Sequence, residues 1–205
     1  MRISLTKCGK RFNRDWIFRN FSFEFLPGHS YAITGPNGSG KSTLLQVVGG
    51  ALIASEGRIT YYSGEQEVNI DNAFRQIAIA APYLEVIEEM TLVEFLDFHA
   101  QFKPFLKGVG IKETIAVTGL TAAANKQIRY FSSGMKQRVK LIQAIFSDVS
   151  CVLLDEPCTN LDAQGIEVYQ RLIADYAGNR TIVVSSNDIQ EYGFCKEVLK
   201  ISDWK

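Results

Sequence analysis

Hydrophobic positions change their period along the chain. Through about residue 65 they alternate: Ile3 and Leu5 share a face, so do Phe21, Phe23 and Phe25, and Arg58 to Tyr62 reads the same way. Period two predicts antiparallel strands with one wet face. Four runs are short and apolar throughout: Tyr31 to Thr34, IAIAA from Ile77, CVLLD from Cys151 and TIVVSS from Thr181. Such runs suit strands of a parallel sheet covered on both faces. KSTLLQVVGG reads as a helix stopping at Gly49 and Gly50. Leu92, Phe95, Leu96 and His99 fall at i, i+3, i+4 and i+7, one helix face. A second helix is expected over Met135 to Phe146, and TIVVSSNDIQEY is expected to run from strand into helix.

The pattern predicts one α/β domain over residues 1–205. Its mixed core sheet and antiparallel β subdomain come from residues 1–82 and 149–205, and its helical subdomain from 83–148. A chain of 205 residues has room for a full core. Its formal net charge of zero argues against a dedicated nucleic-acid binder, which carries a basic excess. RISLTKCGKRF after Met1 lacks the apolar stretch of a signal peptide. No run approaches the roughly 20 apolar residues of a membrane helix, so action at a membrane requires a partner. Cys8, Cys151, Cys158 and Cys195 are scattered, as reduced cytoplasmic thiols are.

The chemistry concentrates after the first apolar run. Gly35, Pro36, Asn37, Gly38, Ser39, Gly40, Lys41, Ser42 and Thr43 spell GPNGSGKST, which fits G-x-x-x-x-G-K-[ST] between a strand and a helix. Glycines let backbone N–H groups turn inward around phosphates, and the helix start adds its positive end. Lys41 supplies a mobile charge to β/γ-phosphates, and Ser42 offers a hydroxyl to Mg²⁺. CVLLDEP then places Asp155 and Glu156 at a strand end. An aspartate there holds magnesium, and the adjacent glutamate activates a water.

Two further stretches carry a resemblance. YFSSGMKQRVKL, Tyr130 to Leu141, resembles the LSGGQ signature of ATP-binding cassette (ABC) proteins. Ser132 and Gly134 match it, while Ser133 and Met135 depart from its usual Gly and Gln. TNLD, Thr159 to Asp162, is similar to that family's D-loop. The order of phosphate loop, signature, DEP and NLD extends the resemblance over essentially the whole chain. It implies a P-loop NTPase fold of ABC type that binds ATP and Mg²⁺. It also implies a head-to-tail homodimer or heterodimer, in which Ser132, Ser133, Gly134 and Asp162 of one copy meet the nucleotide of the other. Phe12 in KRFN stands where the family stacks an aromatic on adenine, with Trp16 as a rival.

The same resemblance exposes two gaps. The family's glutamine after the IAIAA strand is expected at Pro82 or Tyr83, and no glutamine stands between Ala78 and Glu94. Asn187 stands where the family has a histidine against the γ-phosphate. His29 and His99 occupy unrelated positions and read as structural. Glu156, Lys41 and Asn187 are thus the expected catalytic set, and hydrolysis is expected to be slow.

The resemblance implies an ATPase subunit on the cytoplasmic face of a membrane, attached through a separate transmembrane permease, with no nucleic-acid partner. Phe95, Phe98, Phe102 and Phe105 are candidates for core or docking positions. The compact outline is similar to export subunits such as the haem-exporter ATPase of cytochrome c assembly. A hydrolysis-deficient regulatory subunit of an asymmetric pair and a soluble non-transport ATPase are the alternatives. A small-molecule kinase is disfavoured by FSSGM and NLD.

Overall fold

A computed structural model describes residues 1–205. Strands β1 (Arg2–Phe12) and β2 (Asp15–Phe25) form a hairpin, and β3 (Ser30–Thr34) leads into helix α1 (Lys41–Val48). A second hairpin, β4 (Glu56–Ser63) and β5 (Gln66–Val68), is followed by the one-turn α2 (Ile70–Ala73) and by β6 (Ile77–Ala80). Helices α3 (Leu92–Phe102), α4 (Ile111–Val117) and α5 (Ser133–Ile145) come next. The chain ends with β7 (Cys151–Asp155), α6 (Ala163–Tyr176), β8 (Thr181–Ser185), the short α7 (Ile189–Tyr192) and β9 (Glu197–Lys200).

Two sheets result. The antiparallel one has the order β2-β1-β4-β5, and the core has the order β6-β7-β8-β3-β9. Every pairing in the core is parallel, so the expected mixed core sheet is corrected to a parallel one. The reason lies in the alternation. A strand with one wet face cannot enter a sheet covered on both sides. The antiparallel strands therefore form their own layer and lay Phe21 and Phe25 over the core, with Phe25 packed edge-on to Tyr31 at 5.1 Å between ring centroids.

The core strands alternate between two buried clusters. Ala78, Ala80, Val152, Leu154, Ile182 and Val184 face one, with α5 and α6. Ile77, Cys151, Leu153, Val183, Tyr31 and Ile33 face the other, with α1 and the antiparallel sheet. Apolar residues thus point to both sides at period two, which is why these runs look uniformly hydrophobic. At the sheet edge, the Lys103 ammonium donates to the Ile77 carbonyl and closes part of the open ladder.

Parallel register fixes where the loops emerge. Leu154 pairs with Ala80 and with Val184, Asp155 with Ser185, and Ile33 also with Ser185. The residues that follow these pairs leave the same edge. Helices α1 and α6 then pack on opposite faces, which opens a crevice between them.

Leu153 is fully buried, and its Cδ1 lies where a Cβ on Gly49 would stand, at 2.7 Å. Leu153→Ala is expected to lower unfolding stability by about 2–5 kcal/mol, read from a urea titration. A loss near zero would contradict this packing.

Candidate functional site

The phosphate-loop residues begin where β3 stops. Pro36 O accepts from Ser39 N–H at 3.0 Å, which folds the loop back on itself. Gly40 precedes α1 at φ 99°, and no side chain caps the helix, so its first N–H groups lack a side-chain acceptor. A Cβ at Gly40 would lie 2.2 Å from Ile17 Cγ2, so the strand above the loop demands glycine there. The loop lines a cleft of about 220 Å³ with Ile17, Asn37, Gly38, Gly40, Lys41, Ser42, Thr43 and Glu156. Lys41 is 6% exposed, and its ammonium donates to Gly35 O at 2.9 Å and to Pro36 O at 3.4 Å. The cation is thus parked on the loop's own carbonyls.

Asp155 is 1% exposed, and its Oδ1 makes no hydrogen bond. Burial pushes its carboxyl above the usual range, opposed by the nearby hydroxyls of Ser185 and Ser42 and by Lys41, while Glu156 adds to the rise. An unpartnered buried carboxylate oxygen beside a serine hydroxyl is a donor set that fits a hard divalent cation. Glu156 follows at φ 41°, a strained conformation for a residue with a side chain. Its N–H donates to Ser185 O at 2.9 Å, and Thr159 N–H donates to its carbonyl at 3.0 Å. The carboxylate accepts from Thr159 Oγ1 at 3.4 Å and opens onto the loop cleft.

Asn187 leaves the end of β8. Its Oδ1 accepts from Gly35 N–H at 3.1 Å, and its Nδ2 donates to Asn37 Oδ1 at 3.4 Å. Asn37 and Glu156 also line a neighbouring cleft of about 380 Å³ that includes Asn187, Ser186 and Glu191. Of the two candidates after β6, Tyr83 is the one whose phenol senses Asp155. Tyr83 is 47% exposed, and the partial desolvation of its phenol together with the Asp155 charge raises it above the ordinary tyrosine value, opposed by Gln46. Pro82 instead offers its carbonyl to Lys140 Nζ at 2.8 Å. Sequence reading treats this position only as a missing glutamine. It names Tyr83 but not its approach to Asp155, and it misses Gln46 and Ile17, whose approach has no motif.

Ser132, Ser133, Gly134 and Asp162 are not brought to this cleft. They line a separate one of about 410 Å³ with Arg138, Asn160 and Leu161. Ser132 Oγ caps α5 by accepting from Met135 N–H at 3.2 Å. Gly134 is held close to the D-loop, because a Cβ there would lie 2.9 Å from Asn160 O. Asp162 caps α6 through Gly165 N–H at 2.8 Å and meets Arg138 at 3.5 Å.

The hairpin separates the two aromatic rivals. Phe12 pairs with Asp15, and Arg11 with Trp16. Paired residues share a face, and Asp15 shares its face with Ile17, so Phe12 lies on the phosphate-loop side. Trp16 lies on the other side, with the Arg19 and Arg11 guanidinium groups 4.2 and 5.6 Å from its ring centroid. Phe12 remains 47% exposed at the hairpin end, outside the loop cleft. His99 meets Ser147 Oγ at 2.9 Å beneath α3, and His29 meets Pro27 O at 3.0 Å. Neither histidine lines the phosphate-loop cleft.

A family model described as ABC transporter matches residues 18–159. The chain is 31% identical over 192 residues to the cytochrome c biogenesis ATP-binding export protein CcmA of Agrobacterium fabrum, covering 91% of this chain and 88% of that protein. It is 29% identical over 187 residues to YybJ of Bacillus subtilis, an uncharacterized ABC transporter ATP-binding protein, covering 90% and 85%. Among solved structures, a candidate ABC transporter ATP-binding protein from Pyrococcus furiosus matches over 100% of both chains, with a TM-score of 0.83 and 18% identity. The dimeric ABC transporter cassette MJ0796 matches over 97% of this chain and 94% of its own, with a TM-score of 0.80 and 22% identity. These two likenesses concern the fold.

Gly38 and Gly40 separate backbone strain from steric demand. Both have positive φ, but a Cβ at Gly38 meets nothing within 4 Å. Gly38→Ala is expected to cost about 1–2 kcal/mol of stability. Gly40→Ala is expected to cost more, because Ile17 must also move. Equal losses in urea titrations would contradict the stated contact.

Proposed function

The chain belongs to the ABC transporter family, and from that premise we propose that it is the ATP-binding and ATP-hydrolysing subunit powering a membrane exporter. The observation that carries this reading is the convergence of Lys41, Ser42, Asp155 and Glu156 on the cleft edge of one parallel sheet. Lys41 exchanges its carbonyl contacts for the β/γ-phosphates, while the N–H groups opening α1 hold their oxygens. Ser42 and Asp155 would hold magnesium, which would neutralise phosphate charge when bound. Glu156 accepts the proton of the attacking water. Phe12 stacks on the adenine.

The signature cleft is separate on the same chain. Ser132 to Gly134 at the start of α5 therefore serve the nucleotide of a second copy or a paralogue, head to tail, with Asp162 at the same junction. The solved dimeric cassette supports this assembly by fold. Contact with the γ-phosphate closes the pair, and its loss on hydrolysis reopens it.

No helix is long and apolar enough to cross a membrane; on this reading the membrane contact belongs to a separate permease. Phe98 and Phe102, 39% and 70% exposed, form an edge-on pair with centroids 5.1 Å apart. Beside them a groove of about 290 Å³ runs between Ile79, Leu84, Glu85 and Lys103. This groove receives a cytoplasmic loop of the permease, while Phe95 is buried and Phe105 half-buried. The relatives named for export, CcmA and the Nod factor export ATP-binding protein I of Rhizobium johnstonii, favour export as the direction. The second of these is 27% identical over 193 residues, covering 92% of this chain and 62% of its own.

Asparagine at 187 offers a neutral amide and cannot shuttle a proton. Hydrolysis is therefore slow, by about 10² to 10³ if the lost group is a transition-state donor. With the permease reconstituted, Asn187→His is expected to raise kcat. Ordinary turnover that the substitution fails to raise would contradict the reading.

Absence of the family glutamine and histidine favours a regulatory role, whereas the retained Glu156 opposes it. Glu156→Gln separates the two. A hydrolytic subunit loses turnover and accumulates an ATP-bound dimer on size-exclusion chromatography. A regulatory subunit shows no change in either.

A further inference from the structure

The loop after β8 is fixed on both sides of Asn187. Ser186 N–H donates to Ile33 O at 3.1 Å, and Asp188 caps α7 by accepting from Gln190 N–H at 2.9 Å. Between these anchors, the Asn187 amide spends both of its ends on the phosphate loop, the oxygen on Gly35 N–H and the nitrogen on Asn37 Oδ1. The peptide on the other side of Gly35 is held as well, because the Gly35 carbonyl, in the Gly35–Pro36 peptide, takes the Lys41 ammonium at 2.9 Å. Gly35 itself has φ 150° and no room for a side chain, with Ile201 Cγ2 and Ser39 Oγ 2.8 and 2.9 Å from an added Cβ. A glycine in such a place does not hold its own conformation, so the restraint must come from a neighbour.

We propose that Asn187 is a positioning residue that braces the phosphate loop and sets its affinity for nucleoside diphosphates and triphosphates alike. This rests on the reading of Gly35 to Thr43 as the nucleotide loop. When a nucleotide draws Lys41 away from Gly35 O, the Asn187 bond to Gly35 N–H still holds the preceding Thr34–Gly35 peptide, where the loop leaves β3. The loop then meets phosphate already ordered, and the ordering cost does not reduce affinity. A residue that acts through the loop treats diphosphate and triphosphate equally. A residue that touches the terminal phosphate distinguishes them.

The test is calorimetric titration of the purified chain with Mg-ADP and with Mg-ATP. Asn187→Ala and Asn187→Ser each remove both bonds at an exposed position, and the ligand-free melting temperature of each variant reports on folding. Two lost neutral hydrogen bonds predict a Kd rise of about three- to tenfold for ADP and by the same factor for ATP. In an Asn37→Ala background, Asn187→Ala is expected to cost ADP affinity less, because one of the two bonds is already gone. Weaker ATP binding with unchanged ADP binding would overturn the brace and assign Asn187 to the γ-phosphate. Unchanged affinity for both nucleotides would also overturn it. If the parent chain bound neither nucleotide, the phosphate-loop reading itself would fall, a result distinct from both.

Discussion

The parallel register of the core sheet is the constraint on which the site depends. Asp155 pairs with Ser185, and Ser185 with Ile33. The three strands therefore stop level, and the residues that follow them meet at one edge. Gly35, Glu156 and Asn187 come from distant parts of the sequence and become neighbours through that alignment alone. A slip of one residue in β7 would turn Asp155 toward the opposite face.

Around that edge, the chain places polar groups where their neighbours leave something unfinished. Asp155 is buried with one oxygen unpaired, Glu156 has a strained backbone, and the α1 N-terminus lacks a side-chain cap. Each feature costs stability in the ligand-free chain, and a bound phosphate with its cation answers the first and the third. Lys41 and Asn187 are provisional answers: a cation resting on carbonyls and an amide fastening the loop. The second cleft, at Ser132 and Gly134, has its own capped helix and its own tie from Arg138 to Asp162. Two separate clefts on one chain are what the proposed shared site between chains requires.

Much of this is legible in the sequence. The uniformly apolar runs marked the core strands, because a strand covered on both faces has no polar side to show. GPNGSGKST and CVLLDEP marked the loops, since their residue types answer to phosphate and magnesium. The sequence reading leaves out helix α6, although Val168, Tyr169, Leu172 and Ile173 repeat at helical spacing, and it leaves out strand β9 as well. Strand β9 is short, lies at the sheet edge and has a single buried residue, Leu199, so its alternation is too brief to read. A mixed core sheet was expected because pattern alone does not say which strands pair. The approach of Ile17 to Gly40 and of Tyr83 to Asp155 is invisible for the same reason, as each is made across the fold.

The most direct test of the account is the equilibrium affinity of the purified chain for ATP, measured with and without magnesium. A site built from the α1 N-terminus, Lys41 and an unpaired Asp155 oxygen binds ATP, and binds it more tightly when magnesium is present. No detectable binding, or an affinity indifferent to magnesium, would contradict it.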